Sequence, residues 1–129
     1  MAGYSSTPLP AKLGIKSGHR VLVDNAPQGF ALDGVQADVR IRRGEYDVAL
    51  VFCPDLARLE KRWAPVAGRM TPAGALWVAW PKRASKVPTD LTEDVVRDLA
   101  LSRGLVDVKV CAVDDVWSAL KLVTRLVDR

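Results

Sequence analysis

The sequence has few of the residues from which metal centres and disulfide frameworks are built. It contains two cysteines and one histidine. A structural zinc site usually takes four cysteine or histidine ligands, and a disulfide-stapled scaffold needs several cysteine pairs. The composition therefore predicts neither a protein-built zinc site nor a disulfide scaffold.

Long apolar runs are also missing. The two longest, Val48 to Cys53 and Ala73 to Pro81, have the length of strands. A membrane-spanning helix needs about 20 apolar residues. A secretory signal has an apolar segment behind a basic start. The first twenty residues have no such segment. We therefore expect no membrane span and a reducing, cytoplasmic location.

The charge balance is only mildly basic. Nineteen lysines and arginines against fifteen acids leave a net charge of +4. Nucleic-acid binding usually needs a larger basic patch, often with aromatic side chains for stacking. Arg40, Arg42 and Arg43 have only Tyr46 near them in sequence. These arginines are better interpreted as protecting an edge strand from aggregation, which argues against a nucleic-acid partner.

What remains is ordinary globular composition, with 49% hydrophobic and 26% charged residues. A chain of 129 residues is about the size of one domain. Residues 1–18 are rich in serine, proline and glycine and predict a loop-rich lead-in, with a helical turn at 11–13. Strands are predicted at 19–24, 37–41, 46–53, 75–80, 106–113 and 116–126. Helices are predicted as a short one ending at Leu32 and two longer ones at 55–70 and 89–103.

The apolar periodicity supports these assignments. The run at 46–53 is apolar on both faces, as in a central strand of a parallel sheet. Apolar residues recur every three or four positions from Leu56 to Met70, which predicts a helix that Pro65 should kink or split. Residues 71–74 predict a turn.

Helix 89–103 carries terminal signals as well. Asp90 and Glu93 have the spacing of a capping box, and Gly104 stands where a helix often ends. The resulting order is β-α-β-β-α-β-α-β-β. It predicts an α/β three-layer sandwich with a mainly parallel central sheet and a C-terminal antiparallel hairpin.

Residues 70–82, MTPAGALWVAWPK, together with this order, resemble a compact class I methyltransferase, a Rossmann-like fold whose last strands are antiparallel. The chain also resembles the bacterial DUF3052 family over nearly its whole length, as a single domain. That second resemblance is carried by YSSTPL (4–9), KLGI (12–15), WVAWPK (77–82) and GLVDVKVCAVD (104–114). It implies the fold but no activity.

The methyltransferase resemblance would imply S-adenosylmethionine (SAM) as cofactor, but two features argue against it. The first turn, 23–29, has one glycine and a proline where close ligand approach favours several glycines. The family places an acidic residue after the second strand to hold ribose hydroxyls, whereas Ile41, Arg42 and Arg43 stand there. Arginine cannot accept a hydroxyl proton. The cofactor stays unknown, and no catalytic residue is assigned.

Candidate ligand residues lie after two strands. Asp24 and Asn25 follow the first strand, where they could contact a ligand or form an Asx-type turn. Trp80, Lys82, Ser85 and Thr89 belong to the segment between the fourth strand and a helix N-terminus, which favours anions. Alternatively, this segment is a solvated loop with capping residues.

The predicted fold brings these candidates to one edge of the sheet. Parallel strands joined by right-handed crossovers end at the same edge. We expect a crevice there, narrowed by Ala26, Pro27 and Phe30 to less than the size of a nucleoside. The strand-end residues expected to converge are Asp24, Asn25, Cys53, Pro54, Trp80, Pro81 and Lys82.

Three other residues have structural and functional interpretations. Cys53 and Cys111 lie in apolar runs, typical of buried thiols, although Cys53 also precedes a helix that could activate a thiolate. His19 has no acid or cysteine beside it and is interpreted as structural.

Three functions are compatible with the sequence. The first is a non-catalytic or weakly ligand-binding module on a degenerate methyltransferase-like fold. The second is a small enzyme, either a divergent methyltransferase or one that uses the 80–93 loop on an anionic substrate. The third is a homodimer or partner-binding protein. Four of the eight aromatic residues are tryptophans, and Trp117 is the best interface candidate.

Overall fold

The structure is a computed structural model and describes residues 7–129. The first three residues of the YSSTPL motif lie outside this range. The chain forms a short helix α1 (Leu9–Lys12), then strands β1 (Val21–Asp24), β2 (Ala37–Asp38) and β3 (Tyr46–Phe52). Helix α2 (Leu56–Ala67), strand β4 (Met70–Pro81), helix α3 (Glu93–Ser102) and strands β5 (Leu105–Ala112) and β6 (Trp117–Thr124) follow. Two 3-10 turns lie at Arg83–Ser85 and Leu126–Asp128.

One mixed sheet organises the domain, in the order β2-β1-β3-β4-β6-β5. The pairs β1–β2, β1–β3 and β3–β4 are parallel. Strand β6 runs antiparallel between β4 and β5. The predicted α/β class and terminal hairpin are confirmed, and the mainly parallel sheet is confirmed only for its first four strands.

The two faces of the sheet are covered differently. Helices α2 and α3 bury Leu59, Trp63 and Val96 against one face. The other face is covered by the segment around Leu13 and by the loop between β1 and β2, which contributes Leu32. One layer of the sandwich is therefore mostly irregular backbone.

The predicted short helix ending at Leu32 does not form. Pro27 lacks a backbone donor, and Gly29 and Gly34 have φ values of 85° and 73°, outside the right-handed helical region. Strand β2 is a two-residue edge strand ending at Asp38, shorter than the predicted 37–41. Strand β1 begins at Val21, two residues after the predicted start.

Of the two predicted outcomes at Pro65, a kink or a split, the split is wrong. Helix α2 is continuous through Pro65. Pro65 lacks the N–H that would bond to Lys61, but only two residues of α2 follow it, so little helix depends on that bond. At the other end, Asp55 Oδ1 accepts a hydrogen bond from the backbone N–H of Arg58 at 2.8 Å.

The predicted turn at 71–74 is part of β4. This strand starts at Met70, and the extra residues of β4 are accommodated by an irregularity in its pairing with β3 between Tyr46 and Val48. A side chain at Gly74 would come within 2.8 Å of Thr71 Oγ1. The glycine therefore marks a close approach within the strand.

Helix α3 begins later than predicted. Thr92 is its N-cap, and its Oγ1 accepts from the backbone N–H of Val95 at 3.2 Å. Asp90 accepts instead from the backbone N–H of Leu56 at 2.8 Å, so it links the loop to the start of α2. The predicted capping box of Asp90 and Glu93 is wrong. Gly104 follows the helix with a φ of 87°, as predicted.

No helix within residues 7–129 has the length and apolar character to cross a bilayer.

Candidate functional site

The strand order reverses between β1 and β3. Strand β1 connects to β2 on one side, whereas β3 connects to β4 on the other. In open α/β sheets, ligands bind beyond the carboxyl ends of the strands at such a point. Asp24 lies beside Val51, and Phe52 beside Ala79, so the three strands end at one edge. The predicted convergence of the strand ends is confirmed.

Asp24 is engaged by an arginine from α2. Its side chain is buried, and its two oxygens accept from Arg62 Nε at 2.8 Å and Arg62 Nη2 at 3.0 Å. The hydrogen bonds from Arg62 to Asp24 raise the pKa of the guanidinium. Each carboxylate oxygen thus has a charged partner within the fold.

Sequence analysis missed Arg62. The two residues are 38 positions apart, and no local pattern connects them.

Asn25 links the carboxyl ends of the neighbouring strands β1 and β3. Its backbone is left-handed, with a φ of 59°, and its Nδ2 donates to the carbonyl oxygen of Phe52 at 2.9 Å. Asn25 is one of two non-glycine residues with positive φ in the described chain. Its side chain therefore bonds across strands, and the predicted Asx-type turn at Asp24 and Asn25 does not describe these contacts.

Aromatic rings fill the other face of the same strand end. Phe30 packs edge-to-face on Phe52 with centroids 4.9 Å apart, and Phe52 packs on Trp117 at 5.1 Å. Trp117 is half-buried and belongs to the core of this face. The observed contacts of this interface candidate are internal packing.

Cys53 is fully buried directly after β3. Its Sγ lies 3.9 Å from the carbonyl oxygen of Val51. Burial, with the nearby negative charge of Asp24, raises the pKa of the thiol to about 12. The structure supports the buried-thiol interpretation and contradicts that of an activated thiolate.

The polar candidates of the 80–93 loop bond mainly to backbone atoms. Lys82 Nζ donates to the carbonyl oxygen of Asp114 at 2.7 Å, and Ser85 Oγ donates to that of Lys82 at 2.6 Å. Thr89 Oγ1 donates to the carbonyl oxygen of Pro54 at 2.7 Å and accepts from the N–H of Leu91 at 3.1 Å. Trp80 is buried in the core.

This loop still borders an open cleft of about 420 Å³. Its cations include Arg83 and Lys86, both exposed and without an ion pair within residues 7–129. Glu93, at the start of α3, also lines it. An anion here would meet the positive helix terminus and three cations, Lys82, Arg83 and Lys86, opposed by the carboxylate of Glu93.

An acidic residue does end the second strand, contrary to the sequence-based assignment to Ile41, Arg42 and Arg43. It is Asp38, whose Oδ2 accepts from the Tyr46 hydroxyl at 2.6 Å. Arg20 Nη2 lies 3.4 Å from the same carboxylate, and Arg42 Nε lies 3.7 Å away. These bonds, chiefly that of Tyr46, lower the pKa of Asp38.

Asp38 ends β2 level with Leu22 of β1, two residues before Asp24. Its carboxylate contacts the side chain of Tyr46, the first residue of β3. Asp38 therefore lies at the carboxyl end of its own strand, with its carboxylate engaged inside the fold.

His19 Nδ1 accepts from the backbone N–H of Lys16 at 3.1 Å, as expected for a structural histidine. Within residues 7–129, no three histidine, cysteine or acidic side chains are grouped so as to hold a metal ion.

Comparison with known proteins places the fold. No family model and no curated protein sequence matches the chain, so the DUF3052 resemblance stays a prediction. Among solved structures, the chain is similar to LepI in complex with SAM, with a TM-score of 0.53 and 12% identity over 91% of this chain. A structure described as a pericyclic reaction enzyme gives a TM-score of 0.50 at 14% identity. A methyltransferase candidate from Thermoplasma acidophilum gives 0.45 at 10% identity, covering 82% of this chain and 57% of its own.

The similarities with TM-scores of 0.50 or more show that the chain shares its fold with part of the SAM-bound LepI structure. The chain spans 39% of the LepI chain and of the pericyclic enzyme.

Proposed function

We propose that this chain is a non-catalytic module on a methyltransferase-like fold in which the nucleoside crevice is closed by the protein's own side chains. The observation that carries the proposal is the pair of contacts at the switch point, where the strand order reverses between β1 and β3. Arg62 neutralises Asp24, and Asn25 bonds to Phe52 across the gap between β1 and β3.

Two further observations support this function. The acid that ends β2, Asp38, is engaged by Tyr46 and two arginines. Near the crevice, the Cys53 thiol is buried and protonated at neutral pH. The carboxylates of Asp24 and Asp38 are thus engaged inside the fold, and the Cys53 thiol is not a ready nucleophile.

Calorimetric titration with SAM and with S-adenosylhomocysteine tests the proposal. We expect no binding heat at ligand concentrations up to about 1 mM, which bounds the binding free energy to weaker than about 4 kcal/mol. Thermal unfolding with and without each compound should give the same midpoint. A micromolar dissociation constant would overturn the proposal.

The open cleft beside the 80–93 loop, which we call the loop cleft, supports weak anion binding as a second part of the proposal. Its exposed cations, Arg83 and Lys86, are better test positions than Lys82 or Ser85, which hold the loop to the backbone. The double change Arg83→Gln with Lys86→Gln should abolish binding of inorganic phosphate without lowering the melting temperature. The matched control is Lys61→Gln, on the exposed side of α2. Unchanged phosphate affinity in the double variant would remove this cleft from the proposal.

A cytoplasmic location and a possible homodimer stay predictions from sequence. Sedimentation of the wild type and of Trp117→Ala would decide whether the chain forms a dimer through Trp117.

A further inference from the structure

Lys121 occupies a core-facing position on an internal strand. Strand β6 lies between β4 and β5, and Lys121 is directly opposite Trp77, a fully buried residue. Its neighbours two positions away on the same face, Ala119 and Val123, pack in the hydrophobic core. Lysine is rarely placed on such a face unless an acid pairs with it.

Within residues 7–129, no salt bridge joins a carboxylate to Lys16, Lys109 or Lys121. Burial lowers the pKa of Lys121, and the positive charges of Lys109 and Arg129 lower it further. The fold therefore places Lys121 near other cations, with no ion pair to a described acid.

Lys16, Lys121 and Arg129 border a cleft of about 470 Å³, which we call the basic cleft. It opens on the sheet face opposite α2 and α3, between the segment around Leu13 and Val108 of β5. Its floor is apolar and includes Val48, Ala75, Val108 and Val123. Its basic residues are Lys16, His19, Lys121 and Arg129.

Two side chains of the basic cleft have defined hydrogen-bonding roles. Asp47 is the acidic residue in its lining, and its Oδ2 accepts from the backbone N–H of Arg20 at 2.8 Å. His19 accepts at Nδ1, so the neutral ring carries its proton on Nε2 and can donate there. The basic cleft thus combines an apolar floor with several donors and a net positive rim.

We propose that the basic cleft binds a small organic anion, with an apolar body on the floor and a phosphate or carboxylate group at Lys121. An anion would relieve the repulsion among the cations, and the apolar body would pack on the apolar floor of the cleft. This site uses residues and a sheet face different from those of the proposed function, so either can fail alone.

Titrations with 1-naphthyl phosphate, inorganic phosphate and 1-naphthol test both halves of the ligand. We expect 1-naphthyl phosphate to bind at least about tenfold more tightly than either part alone, since one charge-assisted hydrogen bond accounts for about that factor. Equal affinity for 1-naphthol would show that charge has no role and would overturn the proposal. Equal affinity for inorganic phosphate would overturn the role of the apolar floor.

Lys121→Met tests the assigned residue. It should weaken 1-naphthyl phosphate binding by about tenfold or more. Its melting temperature should stay unchanged or rise, because methionine suits a half-buried position on an apolar face. The matched control, Arg83→Gln, removes the same charge at the loop cleft and should leave this binding unchanged. Unaltered binding in Lys121→Met, or an equal loss in Arg83→Gln, would overturn the site.

Discussion

The pair between Asp24 and Arg62 can be tested by removing the guanidinium while keeping most of the side-chain stem. Arg62→Met leaves the Asp24 carboxylate, only 6% exposed, without its charged partner. Breaking a fully buried pair costs about 3–5 kcal/mol. Because the Arg62 side chain is 25% exposed, water can replace part of this interaction. We therefore expect a smaller loss, about 2–3 kcal/mol in the free energy of unfolding.

Urea and thermal unfolding, followed by tryptophan fluorescence at neutral pH, would measure this loss. For a domain of this size it corresponds to a melting temperature about 6–10 °C lower. The control is Arg58→Met in the same helix, whose guanidinium has no ion pair within residues 7–129. That change should stay within about 0.5 kcal/mol of the wild type.

A double-mutant cycle with Asp24→Asn isolates the pair itself. We expect a coupling of about 1–3 kcal/mol between the two positions. If Arg62→Met behaves like Arg58→Met, or if the coupling vanishes, then the pair does not stabilise the closed crevice. The crevice would then not be closed by the pairing of Arg62 with Asp24.

Two further predictions concern titratable groups. In the folded protein Cys53 should resist a disulfide reagent at pH 8, because its pKa is about 12 and its side chain is buried. The half-buried Cys111 should react first. Rapid labelling of both thiols before denaturation would contradict this. The folded-state pKa values of Asp38 and Asp107 are lowered from 3.8, chiefly by hydrogen bonds from Tyr46 and Arg97. Their stabilising contribution is therefore complete above the unfolded value and is lost as the pH falls below about 4. Tyr46→Phe should weaken that acid dependence in denaturant titrations between pH 5 and 2.5, and an identical pH profile would refute the role of the hydroxyl.

Local patterns in the sequence determined the elements with strong apolar periodicity. The run at Tyr46 is apolar on both faces and forms the central strand β3, while the three- and four-residue spacing around Leu59 forms α2. Two strands around a tight turn at Asp114 form the terminal hairpin. These features depend on neighbouring residues, which is why periodicity reveals them. The edge at which the strand ends meet also followed from the predicted parallel order.

Contacts between distant residues decided the rest. Asp90 has a capping-box spacing, but Leu56, 34 positions away, offers it a free backbone donor at the start of α2, so α3 begins at Thr92 instead. Strand β2 ends at Asp38 because Tyr46 and Arg42 hold the chain beyond it in an irregular loop.

Tertiary contacts also decided which side chains of the candidate site are engaged inside the fold. A carboxylate at the end of a strand can bind a ligand or an internal cation. Only the packing of α2 shows that Arg62 forms an ion pair with Asp24. Lys121 gives no sign in sequence of facing the core side of an internal strand, since its orientation depends on the register between β4 and β6. Local periodicity follows from side chains close in sequence, whereas charge pairing depends on which elements the fold brings together.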